Sequence, residues 1–302
     1  MNERLNRPKR FGEILDLTFS LSKNNFKIFF FISLLFMGPV YLIEALIQLV
    51  SGVNFFREVS VGGAWYENIA ASFEVEETTS LGADIGVILL GIVSLFIFPV
   101  ATAATLLVVD HIRKNEAYTI GSVVKKAFAR YGAIIGSTLL FTLMVTGLIL
   151  LPIMFIAFVF IIGIATLPVV GIIVGVLLFL AFAIAIGYLL TRWSFYFGSA
   201  VLGEGTPGFT RSWRLTRTQG WKLVGLYIIF FLLISIVSSA FELTFGLFLG
   251  NSVLLSMILS LVNIVTTLIF TVGFAVMYFD LKVRHDAEDL KELIDEYAVV
   301  QS

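Results

Sequence analysis

The chain has 302 residues, of which 59% are hydrophobic and 14% charged; its mean hydropathy is +1.00 and its formal net charge −1. That balance excludes an ordinary soluble domain and assigns the chain to the membrane class. The absence of cysteine excludes disulfides, thiolate metal sites and cysteine nucleophiles, and the two histidines, His111 and His285, lie in separate polar segments.

Taken in order, residues 10–24 are too short and too polar to span a bilayer. Phe11, Ile14, Leu15, Thr18, Phe19 and Leu21 recur at helical spacing, which predicts an amphipathic helix on the cytoplasmic membrane surface. Residues 1–25 show neither the apolar core nor the small-residue cut site of a cleavable leader, so the first span is expected to stay in the mature protein. Six apolar runs follow, at about 26–50, 85–109, 133–162, 169–191, 223–249 and 253–279, each of the length a bilayer core requires. Pro39, Pro99 and Pro152 fall inside three of them and predict bends. Residues 51–84 carry six acids and one cation, Arg57, and read as an external loop. The tail, 280–302, is charged and cytoplasmic, with Leu290, Leu293, Ile294 and Tyr297 on one helical face. The predicted fold is all-α: one polytopic membrane domain over 1–302, built as three helical hairpins with amphipathic helices at the cytoplasmic interface.

Charge placement supports an even number of spans. With both termini inside, 19 of the 20 Lys and Arg residues fall on the cytoplasmic side and only Arg57 falls outside. Each hairpin also follows a basic amphipathic stretch and opens on an aromatic residue, Phe26, Tyr131 or Trp221. This reads as a threefold repeat, although identity between the copies is low.

The longest polar break in the C-terminal two thirds is 192–222. It holds Arg192, Arg211, Arg214, Arg217 and Lys222 against one acid, Glu204. Positive-inside bias accounts for most of this charge. It does not account for Trp213 and Trp221 interleaved with arginines, a pattern of interfacial anchoring. Arg192, Glu204, Arg211, Trp213, Arg214 and Trp221 are accordingly the candidate lipid or partner contacts. Arg192 and Glu204 are expected to pair and pin the loop, the other arginines to meet phosphate, and the tryptophans to set depth.

Glu44 and Glu242 are the ionisable residues well inside predicted spans, and Asn263 lies in the sixth. An intramembrane carboxylate suggests an ion or proton site, so these three residues are the candidate lining of a transport cavity. Residues hydrated near the outer interface are the alternative. Four GxxxG pairs (Gly82/Gly86, Gly132/Gly136, Gly171/Gly175 and Gly246/Gly250) suggest close helix packing within the chain. No HExxH, P-loop, GxSxG or clustered-histidine signature occurs. No enzyme activity, cofactor, metal or nucleic-acid partner is therefore expected.

Arg192, Glu204 and RSWRLTRTQGW (211–221), with the opening RFGEILDLTFSLSKNNF (10–26) and the exit YFDLKVR (278–284), resemble the glycerophosphoryl diester phosphodiesterase membrane domain family. The resemblance implies a stand-alone bacterial multi-pass protein of the plasma membrane. It does not imply phosphodiesterase activity, because in fused relatives that chemistry belongs to a separate soluble barrel. The leading expectation is a non-enzymatic scaffold or accessory protein that contacts anionic lipid, or a protein partner, at the cytoplasmic face. A small transporter using Glu44 and Glu242 is the alternative, and a lipid-modifying membrane enzyme ranks last.

Overall fold

The structure is a computed structural model that describes residues 2–56 and 81–300, with the side chains at 2, 3, 81, 83, 165 and 288–300 outside the described set. The bulk of the acidic external loop expected over 51–84 therefore lies outside the described residues, as do the tail side chains Leu290, Leu293, Ile294 and Tyr297.

Among the described residues the chain is helical and has no strand. The helices are α1 (Asn2–Leu5), α2 (Phe11–Asn24), α3 (Phe26–Val50), α4 (Leu81–Lys114), α5 (Ile120–Ala129), α6 (Tyr131–Thr166), α7 (Pro168–Ser194), α8 (Tyr196–Leu202), α9 (Phe209–Leu215), α10 (Gly220–Leu249) and α11 (Val253–Val300). Six of them, α3, α4, α6, α7, α10 and α11, are long and apolar enough to cross a membrane. At most 28% of the apolar window in any of these is buried, and in α6 none is. Apolar surface this extensive is untenable in water and matches a hydrocarbon solvent. In that solvent a helix satisfies every internal backbone group. Pro39, Pro99 and Pro152 lie within α3, α4 and α6, which continue on either side of them.

The helices group into two compact units. One comprises 1–4, 12–129 and 228–276. Here α3 packs along α4, and α4 turns at Asn115, with φ of 58°, toward α5. Phe29, Ile32, Leu106, Leu107, Val123 and Phe230 are among its buried residues. Gly273 leaves room for the Phe230 ring, which a methyl group there would meet at 2.6 Å. Helix α2 turns Ile14, Leu17, Thr18, Leu21 and Ser22 inward. Its buried face thus belongs largely to the protein, while Phe19 remains exposed.

The other unit comprises 5–11, 130–227 and 277–302. Its frame is the α6–α7 hairpin. The link is a single residue, Leu167, because Pro168 has no N–H with which to continue the α6 ladder. Leu167 N–H instead closes α6 on the Gly163 carbonyl at 2.9 Å. Close packing is concentrated at this end: a methyl group on Gly163 would lie 2.6 Å from the Gly171 Cα, and one on Gly175 would meet the Phe160 ring at 2.6 Å. Of the four predicted pairs, Gly171/Gly175 packs both members closely against the neighbouring helix. At Gly132 and Gly136 an added methyl would meet nothing within 4 Å.

Gly163→Ala and Gly171→Ala should each lower the stability of the detergent-solubilised protein by about 1–3 kcal/mol through overpacking. Gly136→Ala and Gly147→Ala, which face open space, should leave it unchanged or slightly raised. Thermal unfolding followed by tryptophan fluorescence checks both.

Candidate functional site

The polar break begins where α7 meets its first charge. Arg192 is 8% exposed. Its guanidinium lies over the Trp213 ring, 3.6 Å from the centroid. Nη2 donates to the Trp213 carbonyl at 2.8 Å, and Nε donates to Thr216 Oγ1 at 3.3 Å. In return Ser212 Oγ donates to the Arg192 carbonyl at 2.6 Å. The end of α7 is thus latched onto α9 by stacking and by hydrogen bonds in both directions. The expected Arg192–Glu204 pair does not form. The Arg192 donors are used on α9 and the residue that follows it, and the Glu204 oxygens are occupied elsewhere.

Glycine makes the intervening turn possible. Gly203, Gly205 and Gly208 have φ of 76°, 134° and 82°, in the region that only glycine adopts cheaply. At Gly208 a methyl group would also meet the Tyr196 carbonyl oxygen at 2.6 Å. The turn presents Glu204 to three donors. Its Oε2 accepts from Arg211 Nε at 2.8 Å and from the Tyr278 hydroxyl at 2.8 Å, and its Oε1 accepts from Lys282 Nζ. Burial alone would raise the Glu204 pKa, but the hydrogen bonds from Lys282 and Tyr278 and the charges of Lys282 and Arg211 hold it below the ordinary value. Burial likewise opposes the charge on Arg211, and Glu204 reverses that effect, raising its pKa.

A second carboxylate lies two residues beyond Tyr278. Asp280 is 2% exposed. Oδ1 accepts the backbone N–H of Lys9 at 2.6 Å, while Oδ2 accepts Lys222 Nζ at 3.3 Å and Arg284 Nε at 3.0 Å. The Lys9 carbonyl receives Lys222 Nζ at 2.8 Å and Arg284 Nη2 at 2.6 Å. The Lys9 ammonium donates to the Leu5 and Arg7 carbonyls at 3.2 and 2.9 Å. Burial pulls the Lys9 pKa down to about 8, with Asp280 opposing the shift. Folding therefore carries a cost for charging Lys9 below about pH 8, and that cost is relieved as the pH rises toward 10.5.

Lys9, Lys222, Tyr278, Asp280, Lys282 and Arg284 are not among the site residues expected from the sequence, although Lys222 counts among the cations of 192–222 and YFDLKVR carries part of the family resemblance. A signal was present in YFDLKVR: two interleaved pairs at i,i+4, Tyr278 with Lys282 and Asp280 with Arg284, lie on different faces of one helix. One face meets Glu204, and the other meets Lys9.

The remaining candidates separate into buried and exposed groups. Arg211 is held by Glu204. Arg214 and Arg217 are exposed, and neither guanidinium has a hydrogen-bond or ion-pair partner among the described residues. Trp213 and Trp221 beside them are 39% and 66% exposed. The intervening Ser212, Leu215 and Thr216 are buried.

In the other unit, Asn263 Nδ2 donates to the Tyr41 hydroxyl at 3.0 Å. Glu44 is half-buried and Glu242 exposed. A cavity of about 170 Å³ in this unit is lined by Leu34, Gly38, Tyr41, Leu42, Met257, Ser260, Leu261 and Ile264. Glu44, Glu242 and Asn263 do not line it, so the structure does not assemble them around this space. No group of three or more His, Asp or Glu side chains is placed to hold a metal among the described residues.

No protein-family model, curated protein or solved structure matches this chain.

Glu204→Gln should cost about 1.5–3 kcal/mol at neutral pH, the usual worth of charge-assisted hydrogen bonds. Because the folded-state pKa of Glu204 is depressed, its contribution is complete above the ordinary value of 4.5 and is lost as the pH falls below it. The stability gap between the wild-type protein and Glu204→Gln should therefore narrow on acidification, as thermal unfolding at pH 7 and pH 4 would reveal.

Proposed function

We propose that this integral membrane protein is a non-catalytic scaffold or accessory component that grips anionic lipid headgroups at the cytoplasmic face. The observation that carries the reading is the exposed run Trp213, Arg214, Arg217 and Trp221, with both guanidinium groups unpartnered among the described residues. Cations that a fold requires are paired internally, as Arg211, Lys222 and Lys282 are. Arg214 and Arg217 are left over, and exposed tryptophan beside arginine suits the headgroup layer. The arginine fork matches a phosphate diester.

The orientation belongs to the same proposal. With six spans and positive charge inside, both termini and the 192–222 loop face the cytoplasm. Membership of the glycerophosphoryl diester phosphodiesterase membrane domain family, in a bacterial plasma membrane, is proposed on the three motifs alone. The ion-coupled transport reading has less support, since the cavity in the first unit is apolar and lacks Glu44, Glu242 and Asn263.

The chain has no cysteine, so single introduced cysteines report topology cleanly. Asn54→Cys should react with a membrane-impermeant maleimide in intact cells, and Thr218→Cys should react only after permeabilisation. The reverse pattern would overturn the orientation.

Lipid contact is tested by native mass spectrometry of the gently extracted protein. The wild type should retain phosphatidylglycerol in preference to phosphatidylcholine. At about 1 kcal/mol per cation, Arg214→Ala with Arg217→Ala should weaken that retention about 30-fold. Unchanged retention would remove the lipid-contact reading.

A further inference from the structure

We propose that Arg130, Arg211 and Lys282 form a discrete phosphate-binding cradle beside the Gly203–Gly205 turn, with Glu204 as its organiser. This site uses none of Trp213, Arg214, Arg217 and Trp221, which carry the lipid-surface reading, and it does not rest on that reading.

Arg130 is the residue that the ionic network leaves unexplained. It immediately precedes α6, is exposed, and its guanidinium has no hydrogen-bond or ion-pair partner among the described residues. Yet it is not splayed into solvent. It packs onto Gly203, with its terminal nitrogens and Cζ filling the space that a Cβ there would occupy. Glycine at 203 therefore does two things: it permits the left-handed turn, with φ of 76°, and it admits the guanidinium. The next residue, Glu204, draws Arg211 and Lys282 to the same turn.

The charge and geometry fit one class of ligand. Three cations and one carboxylate leave a local excess of two positive charges, the complement of a phosphomonoester dianion. Glu204 keeps Arg211 and Lys282 in place without neutralising both. Arg211 engages it through Nε and Lys282 through Nζ, and an arginine has five N–H donors while a lysine has three. The side chains of Arg211 and Lys282 remain 25% and 24% exposed, so a ligand can reach them. Two cations held ready by a carboxylate, on the same turn as a third whose guanidinium has no partner among the described residues, are the basis of the proposed oxyanion site. The ligand is a phosphate group, carried by a lipid headgroup or by a soluble phosphate.

The test uses the full-length protein in detergent. Inorganic phosphate and a water-soluble short-chain phosphatidic acid are titrated against chloride at matched ionic strength, with thermal unfolding as the readout. We expect at least one probe to raise the unfolding temperature beyond chloride. Stabilisation by inorganic phosphate identifies a soluble source, whereas stabilisation by the short-chain lipid alone identifies a headgroup. Arg130→Ala, which removes no protein partner, should weaken the apparent affinity of the active probe about tenfold or more. Arg130→Lys, which keeps the charge but loses the fork, should fall between. Arg214→Ala should match the wild type here, and Arg130→Ala should leave retention of phosphatidylglycerol unchanged, so the two proposals fail separately. If neither probe stabilises more than chloride, or if Arg130→Ala and Arg130→Lys titrate like the wild type, the cradle does not exist.

Discussion

The carboxylate of Asp280 sits within α11 just past its apolar stretch, almost wholly out of solvent, and it is matched there by two cations and a peptide N–H. Removing such a charge from water costs several kcal/mol, so the arrangement is stable only if every oxygen is used. Here the peptide of Lys9 completes the set. Its N–H goes to Asp280, and its carbonyl takes both Lys222 and Arg284. One side chain thereby ties the segment before α2, the start of α10 and the middle of α11 into a single closed network. Glu204 solves the same problem on the adjacent face of the same helix, through Tyr278 and Lys282.

A related requirement recurs at the ends of three apolar runs. The second, fourth and sixth apolar runs are each followed, within the same helix, by a buried charge: Asp110, Arg192 and Asp280. Asp110 is satisfied locally, by Arg113 at i+3 and Lys114 at i+4. Arg192 and Asp280 need partners from distant sequence. This changes what the positive-inside excess means. Of the five cations in 192–222, Arg192, Arg211 and Lys222 are taken up within the protein. A count of basic residues therefore overstates the charge available to a membrane surface, and the cations that remain are informative because the fold does not use them.

The same distinction explains what the sequence could and could not reveal. The six apolar runs were legible because hydropathy over twenty residues is a bulk property. Helix ends were less so: α4 continues to Lys114 and α11 to Val300, because polarity ends a span without ending a helix. The expected pairing of Arg192 with Glu204 does not form. It fails because Arg192 finds the Trp213 ring, the Trp213 carbonyl and Thr216 within reach, whereas the turn at Gly203 delivers Glu204 to Tyr278 and Lys282. Asp280 was invisible for a similar reason. Nothing in a single acid past the end of an apolar run announces that a peptide 271 positions earlier completes its shell.

The alternation of anchored and free residues also bears on how the exposed run can act. Ser212 is hydrogen-bonded to Arg192, Trp213 is stacked on it, and Leu215 and Thr216 are buried. Arg214 and Arg217 are therefore displayed from a backbone fixed on its inner side. In the proposed lipid contact a flexible basic loop would lose its conformational freedom, offsetting much of the electrostatic gain. This segment has already lost most of that freedom in folding, and the stacked and hydrogen-bonded latch at Arg192 is what supplies the order. Buried and exposed arginines thus have complementary roles: one set fixes the surface, and the other is what the surface presents.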